Sequence, residues 1–312
     1  MFRITLRQLE VFRAVARFGG TGAAGGTVGL SQSAASASLN ELERTLGTQL
    51  FDRTGRRLRL NATGAEILPR ILALLDAAGE IERCAQDEHL QMGRLRIGAS
   101  TTIGNYLLPG MLASFRGQLA ASAQAAFRVS ITVGNTASVA ALVADFELDC
   151  GLIEGPCQAA DLLLTPWLED DLVIVAGRGD PLARRHGEKV SLRMLRDATW
   201  LLREPGSGTR DIINSLLLPH LDNLKAGIEF GDSEAIKRAV ANGLGITCLP
   251  RCVVEDLITT GSLIVLRTGL PPLKRRLHIV THRRKSLSTG LQRLIAYLQA
   301  QASEKRPRAR AR

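Results

Sequence analysis

Two short runs of small hydroxyl residues are the clearest candidates for binding chemistry in this sequence. Each run follows a predicted strand and opens a predicted helix, where backbone N–H groups and the helix dipole attract an anion. The first run is Ser100, Thr101 and Thr102, and the second is Ser207, Gly208 and Thr209. Simple N-capping would use one hydroxyl and leave others spare. The pattern therefore predicts a site that holds a small anion from two sides.

Two further polar segments stand at predicted strand ends. Asn135 and Thr136 follow one strand, and Glu154 follows the strand Cys150–Ile153. The carboxyl ends of parallel strands line the ligand crevice of such sheets, so we expect these side chains to lie in the same cleft. The alternative for Glu154 is a position on a surface loop. Because a carboxylate repels an anion, either Glu154 is protonated or the ligand offers a donor. This favours a bisulfite-like species, a phosphate-type monoanion or an amino acid over sulfate.

No pattern in the chain indicates catalysis or a bound cofactor. There is no nucleophile–base–orienter set, no P-loop and no dinucleotide-binding glycine motif. His278 and His282 have no acidic or cysteine neighbour that would complete a metal site. The five cysteines are odd in number and lack CxxC spacing, which favours reduced, buried thiols, with a Cys150–Cys157 redox switch as the alternative. We predict a non-enzyme without cofactor or metal.

A second candidate surface lies in residues 1–63, which hold nine Arg, no Lys and four acidic residues. A predicted helix begins after Ser31 and ends at Gly47, with apolar residues at 35, 39, 42 and 46 on one face. The opposite face carries Gln32, Ser33 and Ser36. Short amide and hydroxyl side chains suit a surface that lies close to base edges.

An arginine-rich hairpin is predicted directly after that helix. Gly55 marks its turn, and Arg53 and Arg56 are among the basic residues beside it. This suits a wing that touches phosphates, the alternative being an ordinary basic hairpin. A capping box at Thr63 then opens a long helix with one apolar stripe, which we expect to pair with a second copy and to bend at Pro69.

Composition bounds the remaining possibilities. The 312 residues suggest about two domains, and 40 Lys+Arg against 30 Asp+Glu give a net charge of +10, which favours a polyanionic partner. No apolar run approaches the ~20 residues of a membrane span, and no signal peptide is evident, so we expect a cytoplasmic protein. From residue 93, strands alternate with helices, which predicts parallel sheets flanked by helices. The basic segment 303–312 is predicted to be disordered.

An ordered set of motifs resembles the LysR-type transcriptional regulators. The motifs in the first part of the chain are residues 9–12, Ala24, and residues 31–36, 42–53 and 61–66. Residues 100–109, 153–157, 166–170, 206–210 and 242–246 resemble the YeiE branch of that family. The family usually has Ser where Gly20 stands here, and Thr21 is the expected substitute for its phosphate contact.

The resemblance implies an α + α/β fold with four segments. These are a winged helix-turn-helix (residues 1–63), a dimerising linker helix (64–92), a two-lobed α/β effector-binding domain like a periplasmic binding protein (93–302), and the basic tail. Lobe 1 would span about 93–167 and 268–302, and lobe 2 about 168–267. The implied partners are double-stranded promoter DNA, a small anionic effector, further copies in a homodimer or homotetramer, and RNA polymerase.

The resemblance also implies roles for single residues. Gln32, Ser33 and Ser36 would read bases in the major groove, Arg53 would grip the DNA backbone or the minor groove, and Thr21 would contact a phosphate. Family members that bind sulfur oxyanions use the positions of Ser100 and Thr102. Two other classes stay open at this point: a solute-binding protein that only sequesters its ligand, and an enzyme on an α/β scaffold.

Overall fold

The structure is a computed structural model that describes residues 3–54, 57–86, 94–157, 159–184 and 188–304. It divides into two compact units. The first unit holds the described residues up to Gln86 together with Arg284–Ser286, and the second unit holds the rest. Lys285 Nζ lies 2.5 Å from Asp76 Oδ2 in a buried ion pair, so this short segment groups with the first unit rather than with the second.

The first unit is a three-helix core followed by a hairpin and a long helix. Its elements are α1 (Leu6–Phe18), α2 (Thr21–Thr27), α3 (Gln32–Leu46), β1 (Phe51–Thr54), β2 (Arg57–Leu60) and α4 (Ala62–Gln86). Thr5 and Gln8 form a capping box at α1, and Gly19 ends that helix with φ +70°. The rings of Phe12 and Phe51, 5.4 Å apart, join the helices to the hairpin.

The start of α4 differs from the sequence prediction. The helix begins at Ala62, and Asn61 caps it by accepting a hydrogen bond from the Gly64 N–H at 2.8 Å. The predicted capping box at Thr63 is therefore wrong, because Thr63 already lies inside the first turn. Gly64 fits this turn because a Cβ there would lie 2.2 Å from the Leu50 carbonyl oxygen. The helix continues through Pro69 without interruption.

The second unit alternates strands and helices, as the sequence predicted. Its first half contains β3 (Arg94–Ser100), a π-helical turn (Ile103–Leu107), α5 (Leu108–Gly117), α6 (Ala121–Ala126), β4 (Arg128–Gly134), α7 (Thr136–Ala144), β5 (Cys150–Ile153) and β6 (Leu162–Gly177). Its second half contains α8 (Leu192–Asp197), β7 (Trp200–Arg203), α9 (Gly208–Leu221), β8 (Ala226–Phe230), α10 (Ser233–Ala241), β9 (Ile246–Pro250), α11 (Arg251–Thr259), β10 (Leu263–Val265), β11 (Lys274–His282) and α12 (Thr289–Glu304).

The strands form a sheet in the order β4-β3-β5-β11-β6-β9-β7-β8, with β10 paired to β6. The strands β3, β4 and β5 are parallel and belong to lobe 1, whereas β7, β8 and β9 are parallel and belong to lobe 2. The strands β6 and β11 are antiparallel to each other and to their neighbours. The expectation of purely parallel sheets is wrong for these two, because the chain crosses between the lobes on β6 and returns on β11.

Each lobe has its own apolar core. Lobe 1 buries Ile97, Leu152 and Leu277, and lobe 2 buries Trp200 and Leu217. The prediction of a disordered segment from residue 303 is wrong for Ser303 and Glu304, which belong to α12. In the described part of the chain, no helix combines the length and apolar character that a membrane crossing requires.

Candidate DNA-binding surface and effector cleft

The helix α3 presents the polar face that the sequence predicted. Its N-cap Ser31 accepts a hydrogen bond from the Ala34 N–H at 3.2 Å, and Gly47 ends it with φ +70°. Leu39 and Leu42 are buried against the first unit's core. On the other side Gln32 and Ser33 are exposed and Ser36 is half-buried. These three side chains are therefore grouped on one accessible helical surface, as a base-reading face requires.

Thr21 lies next to this surface. Gln32 Nε2 donates a hydrogen bond to Thr21 Oγ1 at 3.2 Å, which joins the first residue of α2 to the first residue of α3. The N-cap of α2 is Gly20, which has no side chain to cap the helix. Gly25 allows the close turn between the two helices, since a Cβ there would lie 2.7 Å from the Leu30 carbonyl oxygen.

The hairpin β1–β2 carries the predicted basic residues. Arg53 is exposed on β1 and pairs in register with Leu58 on β2. Arg57 and Arg59 are exposed on the second strand. Arg56 lies outside the described residues, as does the predicted turn residue Gly55.

Three hydroxyl groups in the second unit are buried without a hydrogen-bond partner among the described residues. They are Ser100 Oγ, Thr136 Oγ1 and Ser207 Oγ, on residues that are 0%, 3% and 1% exposed. Ser100 ends β3 and Thr136 begins α7 in lobe 1, whereas Ser207 is the N-cap of α9 in lobe 2. A buried polar group without a partner is costly, so these hydroxyls indicate a place for a polar guest.

Glu154 lies inside the second unit and not on a surface loop. It is 1% exposed, and its Oε1 accepts hydrogen bonds from Thr209 Oγ1 at 2.8 Å and Thr102 Oγ1 at 3.3 Å. The surface alternative is therefore wrong. Thr102 and Thr209, predicted as ligand contacts, donate their hydroxyls to Glu154.

Arg275 is the residue that sequence reasoning missed. Its guanidinium is fully buried on β11, with Nη2 3.4 Å from Glu154 Oε2 and 2.8 Å from Asp170 Oδ2. Its Nη1 donates to Thr209 Oγ1 at 2.9 Å. Two carboxylates thus share one cation. Burial raises the pKa of Asp170, and the adjacent Arg275 opposes that rise.

Two cysteines lie close to this cluster. Burial raises the pKa of the Cys248 thiol to about 12 and that of Cys252 to about 11. Thiols with such values stay protonated, which does not favour nucleophilic chemistry. Cys150 and Cys157, the alternative redox pair, are both free thiols.

A second buried arginine lies at the end of β7. Arg203 is 1% exposed and forms two hydrogen bonds with its neighbour Glu204, through Nε at 2.7 Å and Nη2 at 2.9 Å. Its Nη2 also lies 3.4 Å from Thr101 Oγ1 of lobe 1. Asn135 caps α7 and donates from Nδ2 to Glu204 Oε1 at 3.3 Å. Thr101 and Asn135 therefore bridge the lobes.

The lobes approach each other closely at two glycines. A Cβ on Gly155, after β5, would lie 2.4 Å from the Gly208 Cα, and one on Gly208 would lie 2.4 Å from Thr136 Oγ1. The Ala137 N–H also donates to the Gly206 carbonyl at 3.2 Å. The predicted cleft residues of both lobes are thus brought together, and glycine is what permits the contact.

Comparisons with known proteins agree with this architecture. The family model described as the bacterial regulatory helix-turn-helix protein, lysR family, matches residues 6–65, and the LysR substrate binding domain matches residues 88–303. The HTH-type transcriptional regulator YeiE of Escherichia coli strain K12 is 47% identical over 94% of this chain and 97% of its own.

Solved structures show the same fold. A full-length OxyR variant from Pseudomonas aeruginosa matches with a TM-score of 0.69 at 24% identity, over the whole of both chains. The CcmR regulatory domain of Synechocystis PCC6803 in complex with 2-PG matches with a TM-score of 0.61 at 30% identity, over 68% of this chain and 98% of that chain. The relatives are named as transcriptional regulators and not as enzymes or transport proteins. The chain belongs to the LysR family of helix-turn-helix transcriptional regulators.

Proposed function

We propose that a small monoanion that carries a hydrogen-bond donor binds between the two lobes and controls how this regulator binds or activates its promoters. The observation that carries this proposal is the set of three buried hydroxyls, of Ser100, Thr136 and Ser207, that have no hydrogen-bond partner among the described residues. They come from both lobes, so a ligand that bonds to all three hydroxyls holds the two lobes together. The adjacent N-terminus of α9 adds backbone donors, and the N-termini of α7 and α9 both favour a negative charge.

The charge of the effector follows from the buried cluster nearby. Arg275 offsets one of the two carboxylates Glu154 and Asp170, which leaves an excess of negative charge close to the hydroxyls. A dianion such as sulfate would be repelled more strongly than a monoanion. A bisulfite-like sulfur oxyanion or a phosphate-type monoanion fits best. An amino acid is the second candidate, because its ammonium group would favour the carboxylate excess.

Calorimetric titration of the full chain tests the effector. The panel contains bisulfite, sulfate, phosphate, 2-PG and amino acids, with 2-PG included because a relative's domain was solved with it. Each of Ser100→Ala and Ser207→Ala is expected to lose a charge-assisted hydrogen bond, about 1.5–3 kcal/mol or roughly ten- to hundredfold in affinity. Ser215→Ala, on an exposed position of α9, is the matched control. Tightest binding of sulfate, or equal affinity in all three variants, would contradict the proposal.

The DNA-binding part of the proposal concerns α3 and the hairpin. We assign base contacts to Gln32, Ser33 and Ser36, and phosphate contacts to Thr21, Arg53 and Arg56. Exposed short polar groups support the first assignment, and the exposed basic strands of the hairpin support the second. RNA polymerase is the partner expected of an activator.

Self-association is assigned to α4. Leu74 and Ile81, seven residues apart on this helix, are 48% and 71% exposed within one chain. Burying a leucine-sized side chain contributes about 1.5–3 kcal/mol, and a two-fold symmetric contact counts it twice. Because Leu74 is 48% exposed in the single chain, about half of that contribution remains, so Leu74→Glu should weaken the dimer by about 1.5–3 kcal/mol in sedimentation measurements. Glu66→Gln, exposed on the same helix, should leave it unchanged, and a wild-type chain that stays monomeric would refute the assignment.

A further inference from the structure

One side-chain hydrogen bond joins the first residues of the two helices of the helix-turn-helix. Thr21 begins α2 and Gln32 begins α3, and Gln32 Nε2 donates to Thr21 Oγ1 at 3.2 Å. Gln32 is exposed and Thr21 is half-buried. A ligand that approaches the polar face of α3 can therefore reach both side chains.

The turn between α2 and α3 fixes the distance that this bond spans. The Leu30 N–H donates to the Gly25 carbonyl at 2.8 Å, which closes the turn just before α3 begins. A Cβ on Gly22 would lie 3.9 Å from Gln32 Cγ, so the stem of Gln32 runs beside the backbone of α2. The hydrogen bond to Thr21 thus ties a side chain of α3 to a helix that is already held in place.

The hydrogen-bonding capacity of the two side chains determines what they can still bind. A glutamine amide has two N–H donors and one carbonyl acceptor, and a threonine hydroxyl can donate once while it accepts. Among the described residues, the bond to Thr21 is the one hydrogen bond of the Gln32 side chain. One N–H and the carbonyl oxygen Oε1 of Gln32 stay available. Thr21 keeps its hydroxyl hydrogen, which can donate to a phosphate oxygen.

The groups left on Gln32 match one base. In the major groove adenine presents the acceptor N7 next to the N6 amino donor, and the other three bases do not present this pair. Guanine presents two acceptors, so it would place an acceptor against Oε1. Cytosine and thymine each present one hydrogen-bonding group. An amide held with one N–H and its oxygen towards the groove therefore favours adenine.

We propose that Thr21 is a positioning residue, which holds the amide of Gln32 in the orientation that reads adenine. This rests on the base-reading role proposed above for Gln32, and it adds the base and the residue that sets the geometry. A free glutamine side chain loses rotamer entropy when it binds, whereas one already bonded to Thr21 loses less. Thr21 should therefore affect discrimination between DNA sequences and not only the overall affinity.

Fluorescence anisotropy with two duplexes measures that discrimination. The full-length chain selects one duplex from random DNA, and the second duplex has the same composition in shuffled order. Gln32→Ala should reduce the ratio of the two affinities about tenfold. Thr21→Val, which removes the hydroxyl, should reduce it at least about threefold, and Thr21→Ser, which keeps the hydroxyl, should preserve it. Thr27→Val is the matched control, because its hydroxyl on the same helix bonds to the Ala23 carbonyl instead.

A double-mutant cycle shows whether Thr21 acts through Gln32. In the Gln32→Ala background, Thr21→Val should change the affinity ratio by less than about 1.5-fold. The same reduction in both backgrounds would show that Thr21 acts on the DNA by itself, and it would overturn this proposal alone. An affinity ratio that Gln32→Ala leaves unchanged would refute the base-reading role of Gln32 and this proposal with it.

Modified bases test the adenine assignment. In the selected duplex each adenine is replaced in turn by 7-deazaadenine, which lacks the N7 acceptor, or by purine, which lacks the N6 amino group. At one adenine both analogues should weaken the wild-type complex at least about threefold. The Gln32→Ala complex should be insensitive to the same replacements. If every replacement affects the wild type and Gln32→Ala equally, Gln32 does not read adenine and the proposal is wrong.

Discussion

The recognition surface of α3 and the cleft around Glu154 both rely on small polar side chains, yet their surroundings are opposite. Gln32 is exposed, and its side chain bonds to Thr21, eleven residues away. Glu154 is 1% exposed, and its hydroxyl partners are 52 and 55 residues away. A polar group in water loses little when a partner is removed, whereas a buried one is left without hydration. Substitutions at the two regions should therefore affect different quantities.

The largest effect is expected at Arg275. Arg275→Met leaves Glu154 and Asp170 buried without their shared cation, which should lower the free energy of unfolding by about 3–5 kcal/mol. Arg276→Met is the matched control, because Arg276 is adjacent, 54% exposed and paired with an exposed carboxylate. Its loss should cost at most about 1 kcal/mol.

Urea unfolding followed by tryptophan fluorescence measures both variants of this pair. Similar losses in the two variants would show that burial of the cluster does not govern the stability of the cleft. A large loss of unfolding free energy in Arg275→Met alone would show that the buried cluster, unlike the exposed surface of α3, contributes to stability.

A smaller effect, of another kind, is expected at Gln32. Gln32→Ala should leave unfolding unchanged but lose about 1–3 kcal/mol of discrimination between the specific site and random DNA. Arg53→Ala should weaken both complexes and reduce the salt dependence, because a phosphate contact carries no sequence information. Fluorescence anisotropy at several salt concentrations separates the two. Equal losses on specific and random DNA for Gln32→Ala would remove Gln32 from the base-reading face.

The first unit was the more predictable of the two, because its signals are local. The two ends of α3 follow from residues within one helical turn of them, Ser31 and Gly47. Even there, Asn61 rather than Thr63 caps α4, at the point where Gly64 packs against the Leu50 carbonyl. The DNA sequence that the protein recognises depends on contacts with the DNA bases, and the amino-acid sequence alone does not specify these contacts.

The effector cleft was only partly predictable. The hydroxyl runs and Glu154 stand at strand ends, so their sequence context placed them in one region. Arg275 left a signal that was not used: it alternates with the buried Leu273, Leu277 and Ile279, which puts it on the core face of β11. That its partners would be Glu154 and Asp170 could not be inferred, because the contact joins residues more than a hundred positions apart.

The smallest effect expected is a pH dependence at Asp170. Burial raises its pKa above the ordinary value of 3.8 in the folded chain, with Arg275 opposing that rise. Between these two pKa values the folded chain binds more protons than the unfolded chain. Protonation of Asp170 therefore stabilises the fold fully below the unfolded pKa, and this contribution is lost as pH rises through the folded pKa.

Asp170→Asn removes this titration and tests its sign. The unfolding free energy of the variant minus that of the wild type should increase as pH rises from about 4, and become constant above the folded pKa. Asp171→Asn, at the adjacent and 64% exposed carboxylate, corrects for the loss of one negative charge. A difference that decreases with pH would mean that Arg275 outweighs burial at Asp170. The guanidinium of Arg275 would then fully neutralise the Asp170 carboxylate. The contrast between the exposed surface of α3 and a buried cleft with excess negative charge would then apply to Glu154 alone.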